Sequence, residues 1–589
     1  MKYSFLSIFL TLIMIGQIFG PSVFMTKADL SNPGVLAVHS TIHINGDGQF
    51  SAANGVVAGS GTSADPYIIE NWSIDATNKQ GIWIENTNKF YIIRNCHVFN
   101  GTNQSKDHDA IHLDNSRNGT IRDNRLHDSW FGIFVTSSKF VTILNNSIYS
   151  NIYGIFETSS SNLTVEKNEI KIHRIYHDSK GIYFTSVQSG KIENNTISNN
   201  SMGIHIDGST NIIIENNNIS NNSNGTYIGY STNLFFYSNK FWDNEYHLCI
   251  VSGSLTAYPN AMPTNNTVNG KPMYYYRDQS DITVPSDAGY VALINCSRMT
   301  VKDLKLSHNY DGILLSYTKD SLIRNNTLEL NYYGIHFDTY ETNNIVADNT
   351  IKNNTYGIFI YFSWQNKLYS NKMANNSYSF GIDAGNNDKY YFNNTIPTNN
   401  TVDGKPVYFW TGESNKVAPS DAGFLGLIDC SNITVKNMTM KKNYHSILLV
   451  DTHSSSIYNS NFSHNYFGID QRNGYENRMY NNTYTFNDRG CQISHNGMTG
   501  TNNISVENST FSFNSIGAYL YSANPNNVIF VSIENNSFIN NSVGITGLGV
   551  EKSRIFKNIF RNNTNGLELQ NAKENKVHLN NWFSTVSSG

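Results

Sequence analysis

Three short stretches gather residue types that move protons and hold sugars. Lys106-Asp107-His108-Asp109, His127-Asp128-Ser129-Trp130 and His173-Arg174-Ile175-Tyr176-His177-Asp178 each set an imidazole beside a carboxylate. A His–Asp neighbour pair can act as a general base with its orienting group. Arg174 could clamp a substrate carboxylate, and Trp130 or Tyr176 could stack on a sugar face. The chemistry is acid–base work on a polysaccharide, or its recognition. Asp107, His108, Asp109, His127, Asp128, His177 and Asp178 are the catalytic candidates; Trp130, Arg174 and Tyr176 are the ligand-binding ones. Solvated turns carry the same residues routinely, so the elements that position them decide which reading holds.

Those elements repeat. Each stretch ends just before a member of a recurring anchor, as in Ala110, Gly132-Ile133 and Gly181-Ile182. Gly132 and Gly154, Gly181 and Gly203, and Gly312 and Gly334 share one spacing, a period of roughly 22 residues. Between anchors the chain reads as three brief apolar runs separated by Asn, Ser and Gly, too short for helices and patterned like strands. Units this small cannot bury a face alone and must stack on their neighbours. The expected fold is all-β, a parallel β-helix of ~22-residue coils with three short strands each. The three stretches then line one corner, and the longer spacings there would add loops to wall a groove. Asn-Asn pairs such as Asn145-Asn146, Asn194-Asn195 and Asn325-Asn326 recur at similar places in the coils. They are expected to form stacked amide ladders and to supply left-handed turn residues.

A block is duplicated. Thr264-Asn-Asn-Thr-Val-Asn-Gly-Lys-Pro returns as Thr398-Asn-Asn-Thr-Val-Asp-Gly-Lys-Pro, and Pro285-Ser-Asp-Ala-Gly returns at the same offset from Pro419, giving copies at 247–380 and 381–514. Tyr274-Tyr275-Tyr276 and Tyr408-Phe409-Trp410 follow these segments and could bind glycans or pack on a core. Residues 81–589 are read as one continuous helix, a rod on the order of 100 Å at the strand spacing per coil. Residues 29–80 are read as an N-terminal cap and first coil. The last coil shows no obvious cap, so a stacking partner or further sequence is expected beyond it.

Residues 1–28 have the order of a secretory signal: Met1-Lys2, an apolar run from Phe5 to Phe19, then Thr26-Lys27-Ala28. The mature chain is therefore expected outside the cytoplasm, secreted, on the cell surface or in a periplasm-like space. It would meet membrane only through an uncleaved signal. Sequons at Asn71, Asn100, Asn118, Asn145, Asn162, Asn194, Asn325, Asn432 and Asn562 suit that location. Five dispersed cysteines form no CxxC pair and are read as buried apolar groups. A net charge of −4 excludes a nucleic-acid binder that works by neutralising phosphates.

Gly59-Ser-Gly-Thr-Ser-Ala-Asp-Pro-Tyr-Ile-Ile-Glu-Asn-Trp, the Gly-Ile anchors with Asn-Asn turns and the Asn-Gly-Lys-Pro segments resemble the NosD-type family of exported right-handed β-helices. That group is similar to the carbohydrate-binding and sugar hydrolase (CASH) repeats of pectin-lyase-like fold. The resemblance implies periplasmic copper binding. Copper needs clustered imidazole or soft ligands, and the nearest approaches, Cys96-His97 and Met438-Thr-Met440, are explained by strand alternation. Copper is accordingly not expected and calcium is left open. Asp107-His108-Asp109 is similar to the Asp-Pro-His-Asp/Glu stretch of mannuronan C-5 epimerases, without its proline. The reading is an exported β-helix that binds polysaccharide or surface glycans or serves structurally, with no assigned catalytic machinery. A polysaccharide lyase, hydrolase or epimerase is the first alternative, and a copper-handling accessory protein the second.

Overall fold

The computed structural model describes residues 36–103, 106–171, 179–385, 388–495, 503–522 and 530–583, and of residues 102, 103, 106 and 107 the backbone alone. The signal segment and residues 174, 176, 177 and 178 lie outside these. The chain winds as a right-handed parallel β-helix. One coil runs through Phe131–Thr136, Thr142–Leu144 and Ser147–Tyr149, and the next through Tyr153–Thr158, Ser161–Glu166 and Glu169–Lys171. These strands pair in parallel with their counterparts one coil on, making a first, second and third sheet around one core. Ile133, Ile155, Ile182 and Ile204 sit in register and fully buried, which is why the anchor carries isoleucine. A Cβ on Gly132 would stand 2.6 Å from the carbonyl oxygen of Gly154, so Gly132 cannot carry a side chain without a shift of the next coil. Among the described residues, no helix is long and apolar enough to cross a membrane.

The Asn-Asn pairs divide two tasks. The first asparagine takes the left-handed conformation that a tight turn between strands needs, as Asn145 (φ 52°) and Asn194 (φ 56°) do. The second turns inward and is buried. Asn124, Asn146, Asn168, Asn195, Asn217, Asn239 and Asn266 form one ladder. Each Oδ1 accepts the backbone N–H of its predecessor at 2.9–3.1 Å, and each amide donates to the next along the ladder at 2.9–3.1 Å. The second amide hydrogen reaches a carbonyl such as Ile192 O (2.9 Å from Asn217). Asparagine alone offers this donor and acceptor set on so short a stem.

A single uninterrupted stack, expected from the steady anchor count, gives way to three sections. The Asn269-Gly270 and Asp403-Gly404 pairs have both residues at positive φ (48° and 78°; 47° and 80°), the geometry of a tight hairpin. Thr267–Val268 continues the third sheet of section one, and the hairpin returns it antiparallel into Lys271–Arg277. That strand opens the first sheet of section two by pairing in parallel with Tyr290–Ile294. Thr401–Val402 and Lys405–Thr411 repeat the manoeuvre into Phe424–Ile428 of section three. Each reversal turns an old third sheet into a new first sheet.

The new wall closes the old end. Tyr290, Ala292 and Ile294 pack into the core of section one, while Val291 and Leu293, on the opposite face, pack into that of section two. Phe424 and Ile428 against Leu425 and Leu427 divide the second core from the third in the same way. Strands covered on both faces read as unbroken apolar runs, here Tyr-Val-Ala-Leu-Ile and Phe-Leu-Gly-Leu-Ile. Buried polar groups lock both joints. At the first, the His336 Nδ1–H donates to Asp311 Oδ1 (2.8 Å) and Tyr258 donates to Asp338 (2.5 Å). At the second, in the later copy of the block, Arg472 forks onto Asp470 (2.9 and 2.7 Å) and reaches Asp383 (2.5 Å) and the Ala384 carbonyl (3.1 Å) of section two. Burial alone would raise the Asp470 carboxyl; the Arg472 charge and His445 outweigh it and hold it far below the usual range.

Candidate functional site

The corner divides into two imidazole–carboxylate pairs on different sheets. Asp109, buried at the turn, accepts the Nδ1–H of His112 at 2.8 Å. Burial pushes the Asp109 carboxyl up, with that hydrogen bond resisting. His112 belongs to Ile111–Ser116 of the first sheet, its ring on the outward side. His127 ends Arg125–His127 of the third sheet, with Nδ1 2.7 Å from Asp128 Oδ2 and Nε2 2.7 Å from His97 Nε2. With its Nδ1 proton on Asp128, His127 accepts at Nε2 from His97. Burial first, with the neighbouring His127 and Arg125, pushes His97 down to about 4, so it is neutral at pH 7. Phe99 and Tyr149 stack on the pair at 4.6 and 4.7 Å.

His108 stands in the turn with both ring nitrogens buried and without a hydrogen-bond partner among the described residues. Trp130 stands edge-on to Phe131 (6.3 Å) and Tyr153 (6.5 Å). The structure thus joins His127 to Asp128 and gives Asp109 a partner, His112, that the motif reading did not select. Asp107's side chain, Arg174, Tyr176, His177 and Asp178 lie outside the described residues. The sequon asparagines named above, Asn71, Asn100, Asn118, Asn145, Asn162, Asn194, Asn325, Asn432 and Asn562, all have left-handed backbone conformations at or near the surface. The side-chain amides of Asn145, Asn325 and Asn432 bond to the neighbouring coil's turn, each at 2.7 Å.

His112 is one rung of a longer feature. His43, Trp83, His112, Phe134, Phe156, Tyr183, His205 and Tyr227 lie in register across eight coils on the outward side of section one's first sheet. Successive ring centroids are 4.3, 5.4, 4.7, 5.3, 4.8, 4.4 and 4.7 Å apart. Most rings stack and show their edges. The column tilts most at His112–Phe134 (64°) and His205–Tyr227 (73°). Phe131 and Tyr153 form a flanking column, and the Lys180 ammonium lies over Tyr153 and Tyr183 at 5.2 and 4.5 Å. Anchor reasoning stopped one residue short of this face. Gly-Ile-Trp, Ala-Ile-His, Gly-Ile-Phe twice, Gly-Ile-Tyr and Gly-Ile-His put a ring in the third position of successive anchors.

The aromatic triplets of the duplicated block serve the joints. Tyr275 donates to the Pro259 carbonyl (2.8 Å) and packs on the first core, whereas Tyr274 and Tyr276 lean on the second. All five cysteines are free and buried, and Met438 and Met440 are buried too. Burial pushes the Cys96 thiol up to about 12. No group of three or more His, Cys, Asp or Glu converges as a metal site among the described residues.

Comparison with known proteins adds three findings. No curated protein matches the chain. Among solved structures, DFA-IIIase from Arthrobacter chlorophenolicus A6 without its lid is 12% identical with a TM-score of 0.22, covering 51% of this chain and 66% of its own. The enzymatically active domain of bacteriophage CBA120 tailspike protein 2 is 11% identical with a TM-score of 0.26, covering 44% and 42%. A family model described as periplasmic copper-binding protein (NosD) matches residues 59–277 and 274–419, more than half of the chain. With its anchored coils and Asn ladders already traced, the chain belongs to the NosD family of periplasmic, and therefore exported, proteins.

Proposed function

We propose that this protein is an exported glycan-binding β-helix whose contact surface is the outward face of section one's first sheet. One observation carries the reading: the unbroken column of eight rings from His43 to Tyr227 on the outward side of the sheet. Partly exposed rings offer apolar area at low entropic cost. A flat sheet with one rung per coil suits an extended chain of sugars better than a compact ligand.

Catalysis is the weaker reading. Asp109 is committed to His112, Asp128 to His127, and the two pairs stand on separate sheets. Copper chemistry fits this chain poorly. Its closest nitrogen donors, His97 and His127, are hydrogen-bonded to each other, and its five thiols are buried, as are Met438 and Met440. Affinity electrophoresis of the mature chain through gels holding soluble neutral or acidic polysaccharides tests the proposal. Retardation by at least one polymer, weakened about tenfold or more in Phe134→Ala/Tyr183→Ala, is expected for centrally placed rings. Retardation unchanged in the variant, or absent with every polymer, would refute the assignment.

A further inference from the structure

The first joint holds a trough that the aromatic face does not use. Two adjoining cavities of about 450 and 390 Å³ share Glu245 and His308 as a common wall. One side is the turn column of section one, with Asn221, Asp243 and Asn269 in left-handed turn positions. The other side, in section two, carries Asn353 and Asn375. The His247 backbone N–H donates to the His308 carbonyl (3.1 Å) and fixes the two walls against each other. Ladder amides such as Asn222 and Asn244 form the floor and are spent on each other (2.9 Å).

We propose that this trough is a binding site for a neutral oligosaccharide, separate from the outward face of section one. Each cavity has the volume of a ligand site, and apart from Leu330 and the Tyr246 ring its side chains are amide, carboxylate, hydroxyl and imidazole. Such a surface supplies donors and acceptors together, as sugar hydroxyls require. Half-buried Tyr246 at the edge of the second cavity gives a stacking surface. Asp243 and Glu245 oppose phosphate, sulfate and uronate groups, which selects against acidic glycans. The duplicated block supplies an internal contrast. At the matching positions of the second joint, Asn375 stands in place of Asp243 and Ser377 in place of Glu245. Lys442 replaces His308, and its ammonium donates to Asn375 (3.2 Å), spanning the gap.

Isothermal titration of the mature chain with cellotetraose, chitotetraose, maltotetraose and tetragalacturonate tests this. At least one neutral tetrasaccharide should bind. Glu245→Gln and His308→Ala should each weaken it about tenfold or more while the melting profile stays unchanged, and tetragalacturonate should not bind. Failure of all three neutral sugars, equal binding of tetragalacturonate, or loss in Phe134→Ala/Tyr183→Ala with Glu245→Gln intact would overturn the proposal. The last result would instead place the sugar on the outward face, so the two assignments fail separately.

Discussion

Replacing Glu157 with methionine should stabilise section one, and more so at neutral than at acid pH. Glu157 points into the core in register with Val135 and Phe184, fully buried, and neither carboxylate oxygen has a hydrogen-bond partner among the described residues. Burial raises its pKa well above 4.5. Burying an unpaired neutral carboxyl costs about 1–3 kcal/mol. Methionine keeps the length without the polar atoms, so about that much should be recovered at pH 4.5. Above pH 4.5 the folded chain retains a proton that the unfolded chain releases, so stability falls by about 1.4 kcal/mol per pH unit until the folded pKa is reached. The advantage of Glu157→Met therefore grows as pH rises from 4.5. Solenoids open locally, so the assay is amide hydrogen exchange of the strands flanking Glu157 at both pH values, beside thermal melts. Equal protection in both proteins, or a gap that does not widen with pH, would refute the argument that this acid is buried unpaired.

Three further outcomes are expected. Asn217→Ala strips partners from the Asn195 N–H and the Ile192 carbonyl and should cost about 2–5 kcal/mol locally, seen as lost exchange protection in the coils on either side. Arg472→Ala leaves Asp470 buried without its counter-charge, a loss of about 3–5 kcal/mol, and should open the second joint to limited proteolysis. Because Asp470 is held low, its contribution is present above about pH 4 and fades as pH falls toward the folded pKa; joint cleavage against pH tracks it. The five thiols should resist Ellman's reagent in the native protein and react in denaturant, since all are buried.

The coil, its anchors and its ladders were legible because each rests on a local rule repeated in every coil. Gly132 marks a close backbone approach, Ile133 the core, Asn145 the turn and Asn146 the ladder. The joints were not legible by counting, because Asn269-Gly270 preserves the anchor spacing while reversing the chain. The signals lay elsewhere, in a hairpin dipeptide and in Tyr290–Ile294, whose apolar residues do not alternate. At the site, His127–Asp128 was visible as sequence neighbours. Asp109–His112 spans a turn and a strand start, so the motif reading paired Asp109 with His108 instead. The aromatic column needed one residue to be compared across coils that vary in length, and only strand register makes that comparison direct.

The central claim is that section one's outward first sheet holds glycan, and its most direct test is a hydrogen-exchange footprint. The mature chain would be compared free and bound to a polysaccharide that retards it in affinity gels. Slowed exchange concentrated in Ile82–Thr87, Ile111–Ser116, Phe131–Thr136, Tyr153–Thr158 and Lys180–Thr185, with sections two and three unchanged, is the predicted result. Protection confined to section three, or spread evenly over all three sections, would contradict the claim.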